Sequence, residues 1–195
     1  MGDASSRPSA IARRTHKPVM KMLTVCGSLR ANSSNRALLR AYERLAPSSI
    51  SVQHYEQLGE LPHFNPDLDT EPVPRHVGTL RGLMATTDAV VISTPEYAHG
   101  LPGVFKNALD WLVSDPAFAG KPVVILHASR GSMWALDSLR EVLRTMSARI
   151  IESAYASLPL GSNHLDTEAI LTRTDLCQLL RHSLKALEND AKMKP

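Results

Sequence analysis

The chain has 195 residues, with 22 Lys and Arg against 19 Asp and Glu for a formal net charge of +3; 43% of residues are hydrophobic, 21% charged and 5% aromatic. That length supports one domain with a full core but not two ordinary ones, and the mild charge and scarcity of rings exclude a polybasic or base-stacking nucleic-acid binder. No apolar run reaches the roughly 18 residues of a membrane span, and Cys26 and Cys177 form neither a CxxC nor a disulfide framework, which fits a reducing, cytoplasmic compartment.

Residues 1 to about 20 carry Arg7, Arg13, Arg14 and Lys17 against Asp3, with no apolar stretch behind the charges, so a secretory signal is not expected. This segment reads as a disordered extension, leaving 21–195 as the folded domain. Met22–Cys26 is the first strand, and Ser34–Leu45 a helix with Ala37, Leu38, Ala41 and Leu45 on one face, stopped before Pro47. Ile50–Tyr55 alternates as a half-buried strand. The stretch LPHFNPDLDTEPVP is a connector whose prolines and aspartates prevent regular structure. Arg75–Thr86 is a helix, Ala89–Ile92 a strand buried on both faces, and Pro102–Val113 a helix with proline at its start. Pro122–Leu126 is the fourth strand, Ser132–Met146 a helix, Arg149–Ser153 the fifth strand, and Thr167–Ala191 mostly helical.

Strands alternating with helices require right-handed parallel crossovers. The expected fold is therefore α/β: a flavodoxin-like three-layer sandwich around a five-stranded parallel sheet of order 2-1-3-4-5. Ligands of such sheets lie beyond the carboxyl ends of the strands at the switch point, here between strands one and three.

The first of these ends reads Gly27-Ser28-Leu29-Arg30-Ala31-Asn32-Ser33-Ser34-Asn35-Arg36 and runs into a helix. Small hydroxyl and amide side chains, backbone N–H groups and a helix amino terminus together suit an anion, and Arg30 adds a planar fork for phosphate oxygens. The plainer reading makes Ser33 or Ser34 a helix cap and leaves Arg30 in solvent. Neither GxGxxG nor GxxxxGK[ST] is present, so a dinucleotide fingerprint and a triphosphatase loop are both missing. A phosphate loop of Ser, Asn and Arg points instead to a mononucleotide such as FMN. After strand three come Ser93-Thr94-Pro95-Glu96-Tyr97-Ala98-His99-Gly100, a loop against which a flat ring could lie; as a plain turn it would lead to a helix carrying Lys106 and Asp110 as a surface i,i+4 pair.

GSLRxxSxNR together with PEYxxGxPGxxKNAxDW resembles the NADPH-dependent FMN reductase family, and Leu61–Leu68 resembles its LPxxNPDL connector. The similarity extends over about residues 22–155. It implies an FMN-dependent NAD(P)H oxidoreductase that passes hydride through flavin N5 to a quinone, azo compound, free flavin or another small-molecule acceptor. It also implies a homodimer or homotetramer. The carry-over assigns the phosphate to Ser28, Arg30, Ser33 and Asn35, with Ser34 at the helix start, and the isoalloxazine to Pro95, Glu96 and Tyr97. No side chain is required as a catalytic acid or base.

Two positions depart from the family pattern. Ala98 stands where asparagine is common. In the third loop, of the pattern Ser-x-Gly-x-x-Gly-Gly, Ser129 and Gly131 are kept while Met133 and Trp134 are bulky. Trp134 either crowds the dimethylbenzene end of a flavin or packs into the core. These departures keep open a second reading, a non-catalytic FMN-binding electron carrier or sensory or scaffold module. His99 and His127 fall near the ligand face and suit either substrate contacts or ordinary loop positions. No pair of histidines has metal-ligand spacing, and Cys26 reads as a small core side chain.

Overall fold

The computed structural model describes residues 20–129, 131–159 and 165–193. Its strands are β1 (Met20–Cys26), β2 (Ile50–Tyr55), β3 (Ala89–Ser93), β4 (Pro122–Ser129), β5 (Arg149–Ile150) and β6 (Ala156–Pro159). Its helices are α1 (Ser34–Leu45), α2 (Arg75–Thr86), α3 (Gly103–Leu112), α4 (Trp134–Thr145), α5 (Thr167–Leu171) and α6 (Thr174–Lys192). The strands run parallel in the order β2-β1-β3-β4-β5, and β6 also pairs with β4. No helix among the described residues is long and apolar enough to cross a membrane.

Alternation along the central strands sorts side chains to two cores. Leu23, Val25, Val90, Ile92, Val123 and Ile125 face α2, α3 and α4, packing with Leu80, Trp111 and Leu139. Met22, Ala89, Val91, Val124 and Leu126 face α1, α5 and α6, packing with Leu38, Tyr42 and Leu180. This is the doubly wound, three-layer arrangement expected from the alternation of elements.

The expected and observed boundaries of α1, β2 and α2 coincide. The fifth strand does not extend over Arg149–Ser153. Pairing of β5 with β4 stops at Ile150, although the Ile151 N–H still donates to Val123 O at 2.8 Å. A 3-10 turn then occupies Glu152–Ala154. Arg140 holds the Glu152 carboxylate at 2.9 Å, and the Ser183 hydroxyl of α6 donates to the Ala154 carbonyl, so these groups are drawn away from the sheet. The chain returns as β6, whose Ala156–Pro159 accompany Leu126–Ser129. The sheet therefore has six strands, not five. The single carboxyl-terminal helix expected over Thr167–Ala191 is two, interrupted at Thr172 and Arg173. The expected extension over 1–20 lies outside the described residues except for Met20, which opens β1.

The connector after β2 is irregular and is tied down by α3. Asn107 accepts from the Phe64 N–H at 2.7 Å and donates to Pro62 O at 2.9 Å. The Trp111 indole N–H also donates to Pro62 O, at 2.8 Å, and its fully buried ring meets Phe64 edge-on at 5.0 Å. One turn further, Arg81 binds Trp111 O, Asp69 and Ser114 together. Asn107→Ala is therefore expected to leave the Phe64 N–H without its acceptor and to destabilise the protein by about 1–3 kcal/mol. Urea unfolding should show an earlier midpoint with the slope and far-UV circular dichroism retained; an unchanged midpoint would detach the connector from α3.

Candidate active site

The ends of β1 and β3 approach each other so closely at Gly27 that a Cβ there would lie 2.1 Å from Thr94 Oγ1. The Gly27 N–H donates to Ser93 O at 2.9 Å, after which the two chains separate, one toward α1 and the other toward α3. Only glycine permits this approach. The cleft that opens beyond it is lined by Ser28, Arg30, Ser33, Ser34, Asn35, Pro95, Glu96 and Tyr97 from the first two loops. Its far wall is made by β4 and α4, including His127, Ser132 and Ala135.

On the first loop, Ser33 occupies the N-cap position of α1 without a side-chain bond to the helix, so its hydroxyl does not close that end. The buried Ser28 hydroxyl accepts from the Arg30 N–H at 3.3 Å and lies 3.5 Å from the Tyr97 hydroxyl. Asn35 is buried, and its Oδ1 accepts from the Ser93 hydroxyl at 2.8 Å, leaving the amide NH₂ as its remaining donor group. Arg36 and Arg40 are both engaged by Glu56. Arg30 has no carboxylate partner among the described residues and its residue is exposed. Cys26 ends β1 half-buried; burial pushes its thiol up, and the S–H points to Ser28 O at 3.6 Å.

The second and third loops are joined by one carboxylate. Glu96 accepts from the Ala135 N–H at 3.0 Å and from the Ser132 hydroxyl. The N-cap residue of α4, Met133, supplies no side-chain bond, so Glu96 closes this helix from outside its own sequence. The Ala135 N–H and the Ser132 hydroxyl hold the Glu96 carboxyl below the usual glutamate range. His127, on the same wall, is held below the usual histidine range: burial lowers it, the Glu96 charge opposes that, and Arg140 reinforces the lowering. Its Nδ1 lies 3.4 Å from both the Tyr155 and Ser157 hydroxyls.

Ala98 sits at the tip of a tight turn. Tyr97 and Gly100 exchange both backbone hydrogen bonds at 3.0 Å, and the two residues between them, Ala98 and His99, have φ of +48° and +59°. This is the geometry of a turn that favours asparagine and glycine. Ser129 is the last residue of β4, and Gly131 follows at φ +94°. Trp134 does not enter the core: it is 63% exposed and stacks on His99, centroids 5.9 Å apart and planes 26° apart.

Eight expected site residues thus meet in one cleft, whereas Ala98 lies at the exposed tip of its turn. Thr94 reads in the sequence only as a polar loop residue, and Ser132 as the first residue of a helix that in fact begins at Trp134. The role of Glu96 in capping α4 had no local signal, because its partners are supplied by the next crossover.

Two substitutions test this arrangement. Glu96→Ala should destabilise the protein by about 1 kcal/mol at neutral pH, the usual cost of losing a helix cap. Because the folded-state pKa of Glu96 is depressed, its contribution is full above the ordinary glutamate value and is lost as pH falls through the lower, folded one. The stability gap between wild type and variant should therefore close below about pH 4; a gap that persists in acid would remove the charge from the argument. Ala98→Asn should raise stability by up to about 1 kcal/mol in thermal unfolding, since asparagine tolerates the left-handed region better. A lower melting temperature would mean that the turn is shaped around alanine.

The description of the NADPH-dependent FMN reductase family matches residues 20–162. An NAD(P)H-dependent FMN reductase of Pseudomonas aeruginosa is 30% identical over 174 residues, 87% of this chain and 94% of that protein. A quinone reductase of Pseudomonas putida is 39% identical over 132 residues, 66% of this chain and 70% of its own. Among solved structures, a flavoenzyme NAD(P)H:(acceptor) oxidoreductase from Paracoccus denitrificans superposes with a TM-score of 0.68 at 24% identity, covering 88% of this chain and 98% of its own, which shows the shared fold. With the family description spanning most of its length and the Pseudomonas aeruginosa relative aligned along nearly all of it, the chain belongs to the NADPH-dependent FMN reductase family and is an oxidoreductase whose cofactors are FMN and NAD(P)H.

Proposed function

We propose that the cleft holds FMN with its phosphate on the amino terminus of α1, and that the enzyme reduces a quinone-like small molecule according to NAD(P)H + H⁺ + quinone → NAD(P)⁺ + hydroquinone. The observation that carries this reading is a contrast between two helix ends. The amino terminus of α4 is closed by the Glu96 carboxylate, whereas the cap residue of α1 makes no side-chain bond to its helix, and beside it stands Arg30, which has no carboxylate partner among the described residues. A dianionic phosphate suits the second end and would be repelled by the first. The donor set of hydroxyls, an amide and a guanidinium also fits phosphate chemistry.

When bound, the flavin supplies the redox chemistry, taking a hydride from the nicotinamide and passing two electrons to the acceptor. The chain's own residues bind and orient. Ser28, Arg30, Ser33, Ser34 and Asn35 anchor the phosphate end, and Pro95, Glu96 and Tyr97 form the loop against which the ring lies. Glu96 fixes the spacing of the two ring-side loops by bonding across them. The quinone reductases among the relatives support the acceptor class.

Arg30→Ala tests this placement. A charge-assisted bond to phosphate contributes roughly 1.5–3 kcal/mol, so FMN should bind about ten- to a hundred-fold more weakly. Riboflavin, which lacks the phosphate, should bind nearly as before, and the FMN effect should shrink in high salt. Fluorescence quenching of the two flavins by wild type and variant measures both affinities. An FMN affinity unchanged by the substitution would move the phosphate elsewhere. Anaerobic addition of NADPH to the FMN-loaded wild type should bleach the visible flavin band within seconds.

A further inference from the structure

Three of the large apolar side chains left in solvent lie on the two loops tied by Glu96: Tyr97 is 48% exposed, Met133 41% and Trp134 63%. An exposed indole gives up much of the stabilisation that burial of its surface would bring, and here it is held in a defined place. Its ring stacks on His99, and His99 has a left-handed backbone in a turn closed by two hydrogen bonds. Two consecutive non-glycine residues at positive φ amount to a strained backbone, of the kind maintained at functional sites. The strain sets the imidazole against the indole, and Glu96 fixes the spacing of the loops that carry them. The imidazole therefore backs one face of the indole, and the exposed indole offers a flat aromatic surface at the start of α4, next in the chain to the cleft residue Ala135.

We propose that the Trp134–His99 platform determines acceptor specificity, stacking a flat, fused-ring quinone of the naphthoquinone class at the mouth of the cleft. A fused bicyclic acceptor matches the area of an indole, a single-ring benzoquinone covers part of it, and an octahedral oxidant such as ferricyanide cannot stack at all. Trp134 acts here by positioning the acceptor and takes no part in the transfer of electrons. This inference rests on the FMN reading of the cleft.

The test uses the FMN-loaded protein with menadione, benzoquinone and ferricyanide as acceptors. In Trp134→Ala, KM for menadione should rise about three- to tenfold, the range of an aromatic pair. The ratio of kcat/KM for menadione to that for ferricyanide should fall by the same factor, with benzoquinone between. Trp134→Phe should recover most of the loss, and His99→Ala should show a smaller loss in the same direction. A readout independent of turnover comes from fluorescence, because Trp111 is fully buried and Trp134 is exposed. Menadione added without NAD(P)H should quench the long-wavelength, Trp134 emission saturably, with a midpoint near its KM.

Menadione KM unchanged in Trp134→Ala would overturn the inference, as would purely linear, collisional quenching. An equal loss for ferricyanide would make the effect general and overturn it too. So would a shift of Trp134→Ala to a smaller species in sedimentation, which would assign the platform to a contact between copies. Failure of the wild type to bind FMN would instead strike the reading of the cleft itself.

Discussion

A parallel sheet with helical crossovers brings the amino terminus of every following helix to the same edge, and each of those ends presents N–H groups that its own helix cannot satisfy. This constraint organises the whole carboxyl edge of the sheet. At α4 the loop of the neighbouring strand answers it, through Glu96. At α3 the chain enters through Pro102, which has no N–H to satisfy. At α1 no Ser33 bond answers it, and the polar residues gathered around that end face a cleft. The same electrostatic demand is thus met by a carboxylate of the neighbouring loop at one crossover, while at another the helix end faces a cleft.

The arginines around α1 separate along the same line. Arg36 and Arg40 are drawn to Glu56, and Arg40 also reaches Glu43, which in turn holds His54 at 2.8 Å. That network secures α1 against β2 and neutralises its own charges. Arg30 lies outside it, one turn before the helix, and no acidic side chain among the described residues pairs with its guanidinium. What separates Arg36 and Arg40 from Arg30 is which carboxylates the fold places within reach.

Much of the architecture was legible because its determinants are local. Periodicity and the prolines at 47 and 74 set the limits of α1 and α2, and alternation sufficed for β2. The cleft residues from Ser28 to Asn35 were legible because they follow the first strand in one run. What could not be read depends on partners distant in the chain. The break after β5 follows from Ser183 taking the Ala154 carbonyl, and sequence periodicity carries no trace of that bond. From the sequence, Trp134 suits either the flavin end or the core, the ordinary place of a tryptophan that opens a helix. Its exposed stack on His99 arises from a positive φ that the motif alone does not disclose. The connector motif and the KNAxDW motif read as separate signatures, and they turn out to be two sides of one set of hydrogen bonds at Pro62 and Phe64.

The divided strand beyond β4 leaves the sheet with an interrupted edge. An open sheet edge is a template for any other strand that can align with it, and long, straight edges invite such pairing. Here that border is cut into a two-residue piece and a four-residue piece, separated by a 3-10 turn whose Ala154 carbonyl is taken by α6. An incoming strand would find no continuous ladder to join. Continuation of the sheet from one copy to the next is thereby disfavoured along this edge.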